Sequence, residues 1–144
     1  MKTLSILSAL AVVAIAAPAV AGEQLPATYL IHKLTVDGVQ LRSLEPESRI
    51  YEARVEATDG SIVKVGVDPE SVYLTDAYSH ASARKPDGAA PKLNAAEAIQ
   101  AAAYTGYWDV REVKFRDGRW QVDARNDQGR SRTVTVDATS GMVD

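Results

Sequence analysis

Two stretches of the chain carry one residue pattern about 69 positions apart, and this periodicity restricts the possible folds more than any other feature of the sequence. Leu25 through Leu34 aligns with Leu93 through Ala102 at an offset of 68, matching Leu25 with Leu93, Ala27 with Ala95 and Ile31 with Ile99. Gly38 and Gly106 follow as helix stops. Beyond them the offset is 69, as one inserted residue requires. Arg42 then meets Arg111, Tyr51 meets Trp120, Gly60 meets Gly129, and Val65-x-Val67-Asp68 meets Val134-x-Val136-Asp137. Helix, strands and turns arrive in the same order with a single shift, which points to duplication of one α+β unit.

The second unit states its elements more clearly. Asn94 and Glu97 form a capping box, and Ala95, Ala98, Ile99, Ala102 and Ala103 make an apolar stripe at helical spacing. The stripe is built from small side chains, so a sheet can approach it closely. Three extended runs follow, Val110 to Phe115, Arg119 to Asn126 and Arg130 to Asp137, separated by the hairpin sequences Arg116-Asp117-Gly118 and Asp127-Gln128-Gly129. Trp120, Val122 and Ala124 alternate with Gln121, Asp123 and Arg125, so one face of the sheet is buried and the other is wet. The first unit repeats this with a helix from about Leu25 and runs at Val39 to Leu44, Ile50 to Ala57 and Ser61 to Asp68. Tyr51, Ala53 and Val55 point inward, and Glu45-Pro46-Glu47-Ser48 reads as a longer, acidic first turn. The predicted fold is therefore α+β, two repeats of one helix packed on a three-stranded antiparallel sheet. Residues 22–75 form the first repeat, 76–92 an Ala-, Ser-, Gly-, Pro- and charge-rich linker, and 93–144 the second repeat.

Leu93-Asn-Ala-Ala-Glu-Ala-Ile99, Trp120-Gln-Val-Asp-Ala-Arg125 and Val134-Thr-Val-Asp-Ala-Thr-Ser-Gly141 together resemble the PepSY domain family. Tyr51 through Gly60 and Val65-Gly-Val-Asp68 resemble it more weakly, with Pro69-Glu-Ser-Val72 standing where the family has a Thr-Gly turn. The resemblance implies a helix on an antiparallel sheet and a non-catalytic role. Domains of this family occur in propeptides of secreted metallopeptidases, where they restrain the protease, and in small periplasmic proteins linked to envelope signalling. No catalytic residue comes with the resemblance.

The N-terminus sets the compartment. Lys2, the apolar run Leu4 to Ala17, and Ala19 and Ala21 before Gly22 are the charged region, hydrophobic region and cleavage site of a signal peptide over residues 1–21. A periplasmic or secreted chain with no stable membrane anchor after cleavage is expected. Cysteine is absent, so neither a lipidated cysteine nor a disulfide contributes, and stability must come from packing. A net charge of −3 argues against a nucleic-acid partner.

The chain offers little catalytic chemistry. The two histidines, His32 and His80, sit in the first helix and in the linker, too far apart to show ligand or triad spacing, and no Asp-x-Asp-x-Asp-Gly calcium loop occurs. Asp68 and Asp137 read as turn formers. No cofactor and no enzymatic activity are expected. The candidate partner-binding residues are Tyr107 and Trp108, in an aromatic cluster after the second helix, with Arg111, Arg125 and Arg132 on or beside strands; Arg125 and Arg132 on one wet face would suit an acidic partner. The expected function is that of a periplasmic module binding a protein, as a peptidase inhibitor or modulator or as a regulator of envelope signalling. The alternative is a carrier of a small ligand or metal ion. Mass spectrometry of the exported protein should show a chain beginning at Gly22; a retained N-terminal methionine would refute the signal peptide.

Overall fold

The computed structural model describes residues 25–72, 74–75 and 88–144; the leader over residues 1–21 and residues 76–87 of the expected linker lie outside them. Helices α1 (Ala27–Val36) and α2 (Ala95–Tyr104) are ten residues each. Helices so short are marginal alone, so each depends on its buried stripe. In α2 that stripe is Ala95, Ala98, Ile99 and Ala102. Ala103, expected on it, is exposed, because with about 3.6 residues per turn it falls on the far side of Ala102 from the sheet. The capping box forms as expected: the Glu97 amide donates to Asn94 Oδ1 at 2.9 Å, and the Asn94 amide donates to Glu97 Oε2 at 2.7 Å. Helix α1 starts behind Pro26 with no side-chain cap and buries Ala27, Leu30, Ile31 and Leu34.

The strands are β1 (Gln40–Glu47), β2 (Ile50–Glu56), β3 (Ile62–Val67), β4 (Leu74–Thr75), β5 (Asp109–Arg116), β6 (Arg119–Arg125) and β7 (Ser131–Asp137). They form one antiparallel sheet in the order β4-β3-β2-β1-β5-β6-β7. The halves meet where Ser43 pairs with Lys114 and Leu44 with Val113. Both helices lie on one face of this sheet and touch each other, α1 reaching over to β5 and α2 to β1. One core results, with Trp120, Leu30, Ile31, Leu44, Val113 and Val122 fully buried. The Trp120 indole N–H donates to the Leu93 carbonyl at 2.9 Å, so the largest core side chain leaves no orphan donor and ties β6 to the start of α2.

Strand β1 runs through Glu45, Pro46 and Glu47, where the sequence suggested an acidic turn; the reversal is confined to Ser48 and Arg49. Beyond Leu44 the pairing of β1 with β5 has ended, so the missing N–H of Pro46 can face an unpaired side while Pro46 still opposes Tyr51 of β2. The β5–β6 reversal at Asp117-Gly118 has positive φ at both residues, 51° and 74°, the conformation a two-residue hairpin demands.

Hydrogen bonds recur at the sequence offsets. Leu25 N–H donates to Pro69 O as Leu93 N–H does to Ala138 O, at 3.3 and 2.9 Å, and β1 and β5 each carry an irregularity, between Leu41 and Ser43 and between Val110 and Glu112. The turns after β3 and β7 also correspond: Val72 N–H donates to Asp68 O, and Gly141 N–H to Asp137 O, both at 2.8 Å. Thus Pro69-Glu-Ser-Val72 makes the same turn as Ala138-Thr-Ser-Gly141, with Val72 held at φ 61° where Gly141 sits at 74°. A β-branched residue in that region is strained. Replacing Gly141 with alanine imposes the same strain and brings a Cβ within 3.4 Å of Leu93. It should cost about 1–2 kcal/mol in urea unfolding at an unchanged m-value.

Asp68 and Asp137 hold these turns. Asp68 Oδ2 accepts from the Ser71 hydroxyl at 2.6 Å, and Asp137 Oδ1 accepts from the Ser140 and Thr139 amides at 2.8 and 2.9 Å. Hydrogen bonds from Ser71 and Glu70, and from Ser140 and Thr139, lower the two carboxyl pKa values. Their stabilising contribution is therefore present above the usual carboxylate pKa of about 4 and is lost as pH falls through the lowered folded value. Asp137→Ala should lower the melting temperature at pH 7, and its deficit against the parent should shrink toward pH 2. An equal deficit at both pH values would refute the ionic origin.

Candidate functional site

The uncovered face of the sheet is a ladder of opposed charges. Lys64 pairs with Glu52 at 2.7 Å, Lys114 with Glu112 at 2.6 Å and with Glu45 at 3.3 Å, and the Thr133 hydroxyl donates to Asp123. The hydrogen bond to Glu112 holds the Lys114 pKa above its usual value. Because these charges are internally satisfied, the middle of this face has little left for a partner.

The end of the sheet where β5 and β7 begin is different. The chain leaves α2 through Thr105 and Gly106 and enters β5 through Tyr107 and Trp108. Tyr104 is 84% and Trp108 53% exposed, whereas Tyr107 is partly buried against the core. The Trp108 indole N–H donates to Asp127 Oδ1 in the β6–β7 turn at 2.7 Å, fixing a flat ring in solvent. The Arg132 guanidinium stands 5.9 Å from the centre of the Tyr107 ring, within cation–π range.

The three candidate arginines do not form one patch. In the β6–β7 register Arg132 opposes Ala124 and Arg125 opposes Ser131, so Arg132 lies on the side of buried Ala124 and Arg125 on the other. The expectation that Arg125 and Arg132 share the wet face is corrected. The alternation Arg132-x-Val134-x-Val136 carried that information, since both valines are core residues. Arg125 is also committed, its Nε and Nη2 reaching Asp109 Oδ2 at 2.9 and 2.8 Å.

Arg111 and Arg132 both border one open cleft of about 310 Å³. Pro46, Glu112, Asp123 and Thr133 are among its other lining residues. Neither Arg111 nor Arg132 is ion-paired to a carboxylate among the described residues. No local pattern marks this cleft, because it needs the end of β1 brought beside the start of β5. Tyr51 lies close by: burial raises its phenol pKa and the Arg111 charge opposes that rise. His32 is exposed on α1, and His80 lies outside the described residues. Among the described residues no three His, Cys, Asp or Glu side chains are grouped to hold a metal ion.

Residues 73–143 match the family model described as peptidase propeptide and YPEB domain, a PepSY model. No curated protein matches the chain significantly. A solved structure of a candidate lipoprotein from Clostridium difficile 630 is similar over 84% of this chain and 91% of its own, at 14% identity and a TM-score of 0.45.

The two tryptophans separate scaffold from surface. Trp120→Ala should cost about 3–5 kcal/mol, most of the stability of a small domain. Trp108→Ala should stay within about 1 kcal/mol of the parent, as exposed substitutions do. Chemical denaturation of both variants decides; a folded, stable Trp120→Ala protein would place that side chain outside the core.

Proposed function

We propose, on the premise that residues 73–143 belong to the peptidase propeptide and YPEB domain family, that this chain is a non-catalytic module acting outside the cytoplasm by binding a protein partner. The role is that of a peptidase inhibitor or modulator, with regulation of an envelope sensor as the other form of the same activity. The family match carries this reading. The surface supports it: Tyr104 and Trp108 stand exposed at and after the end of α2, and the Arg132 guanidinium stands over the Tyr107 ring. Exposed aromatics next to arginine are the side chains that dominate protein interfaces. Arg125 would belong to this surface as the support that occupies Asp109.

On this reading residues 1–21 are removed on export, and residues 22–75 and 93–144 are two copies of one unit joined by 76–92. The recurrence of the Leu25–Pro69 and Leu93–Ala138 hydrogen bonds supports the duplication. Among the described residues no helix is long and apolar enough to cross a membrane.

Immobilised residues 22–144 should retain a specific protein from an envelope or culture-supernatant fraction, and Trp108→Ala should reduce its retention severalfold. If the retained protein is a peptidase, adding the chain should slow its turnover. Retention of no protein, together with a melting temperature raised by added divalent metal or fatty acid, would replace this reading with that of a small-ligand carrier.

A further inference from the structure

The two halves place an arginine at the same structural position and treat it in opposite ways. Arg42 and Arg111 each occupy the irregularity near the start of the first strand of their half, one residue after Leu41 and Val110. In the first half Arg42 is 9% exposed, its guanidinium paired with Glu56 and stacked 5.4 Å from the Phe115 ring. Glu56 is the register partner of Gln40.

In the second half the register partner of Asp109 is Arg125. The position equivalent to Glu56 thus holds a positive charge, and the carboxylate at the position of Gln40 is taken by that charge. Pro46 lines the cleft at Arg111, whereas the larger Phe115 ring covers Arg42. Arg111 is left exposed, without a carboxylate partner among the described residues, in an open cleft that Arg132 also lines. Of the two carboxylates that line the cleft, Glu112 is paired with Lys114 and Asp123 accepts a hydrogen bond from the Thr133 hydroxyl. Arg111 and Arg132 have no carboxylate partner among the described residues.

We propose that this cleft receives a carboxylate from a protein partner, an Asp or Glu side chain on an extended acidic segment, which pairs with Arg111 as Glu56 pairs with Arg42. The inference rests on the partner-binding reading and specifies the chemistry of what is bound. Arginine suits the task because its fork of donors matches the two oxygens of a carboxylate. The chain as a whole is acidic, with a net charge of −3, so its overall field repels an acidic segment and capture must come from the local site.

Fluorescence anisotropy with a labelled octaglutamate peptide, on residues 22–144 in low-salt buffer, tests this. The parent should bind, with affinity falling as salt is added. Arg111→Gln should weaken binding about tenfold, the order expected for a hydrogen bond to a charged group. The double variant Asp109→Gln with Arg125→Glu rebuilds the Gln40 and Glu56 arrangement around Arg111. It should likewise lose about tenfold by supplying the carboxylate internally.

Arg116→Gln, at the opposite end of β5, changes net charge by the same single unit and should leave binding unchanged within about twofold. Equal weakening by Arg116→Gln and Arg111→Gln would overturn the site, as would a double variant that remains folded by circular dichroism and binds like the parent. Absence of octaglutamate binding while the partner of the preceding experiment is still retained would remove the carboxylate site and leave the partner reading standing. Octaglutamate binding through Arg111 with no protein retained would do the reverse.

Discussion

The short antiparallel contact between β1 and β5 is the interaction on which the rest of the structure depends. It joins Ser43 to Lys114 and Leu44 to Val113, and it turns a four-stranded and a three-stranded piece into a single seven-stranded sheet. Each piece alone would be a small meander under one ten-residue helix, close to the lower limit of independent stability. Joined, the helices cross the seam, α1 onto β5 and α2 onto β1, and Leu44 and Val113 are completely buried between them. On the other face Lys114 bridges Glu45 of one half to Glu112 of its own, so the seam is closed by hydrophobic contact on one side and by charge on the other.

The same seam decides where function can reside. It seats Phe115 of the second half over Arg42 of the first and brings Pro46 of the first to the cleft at Arg111 of the second. Arg42 and Arg111, each at an irregularity in its strand, thus acquire different surroundings. Arg42 is buried and paired with Glu56, its Nε left without a hydrogen-bond partner, whereas Arg111 stands exposed. A surface that binds by complementarity needs a rigid support. The capping box of α2, the Trp120 hydrogen bond to Leu93 and the shared core supply it.

Much of this was legible in the residues. The helices, the hairpin turns, the inward faces of β2, β6 and β7 and the turn roles of Asp68 and Asp137 all follow from spacing, because local chemistry alone dictates them. Ala103 lies outside the buried stripe, since a run of alanines does not mark the edge of a helical stripe. Glu45, Pro46 and Glu47 suggest a turn because proline and acidic residues are rare in strands; their strand character comes from pairing with β2, which local propensity does not encode. Arg132 could have been placed from its alternation with Val134 and Val136. Arg111 could not have been distinguished from Arg42, because the difference lies in cross-strand neighbours, Glu56 against Arg125 and Phe115 against Pro46.

By itself, then, the sequence determined the α+β class, the order of elements, the buried face of the hairpins and the resemblance to a family of propeptide-like domains. Those properties rest on periodicity, capping and turn conformation, each set within a few residues of chain. The tertiary structure decided that both halves share one sheet and one core, which arginine is neutralised and which is left facing solvent. These depend on contacts between residues far apart in the chain, and a side chain's charge has meaning only once its neighbours in space are known.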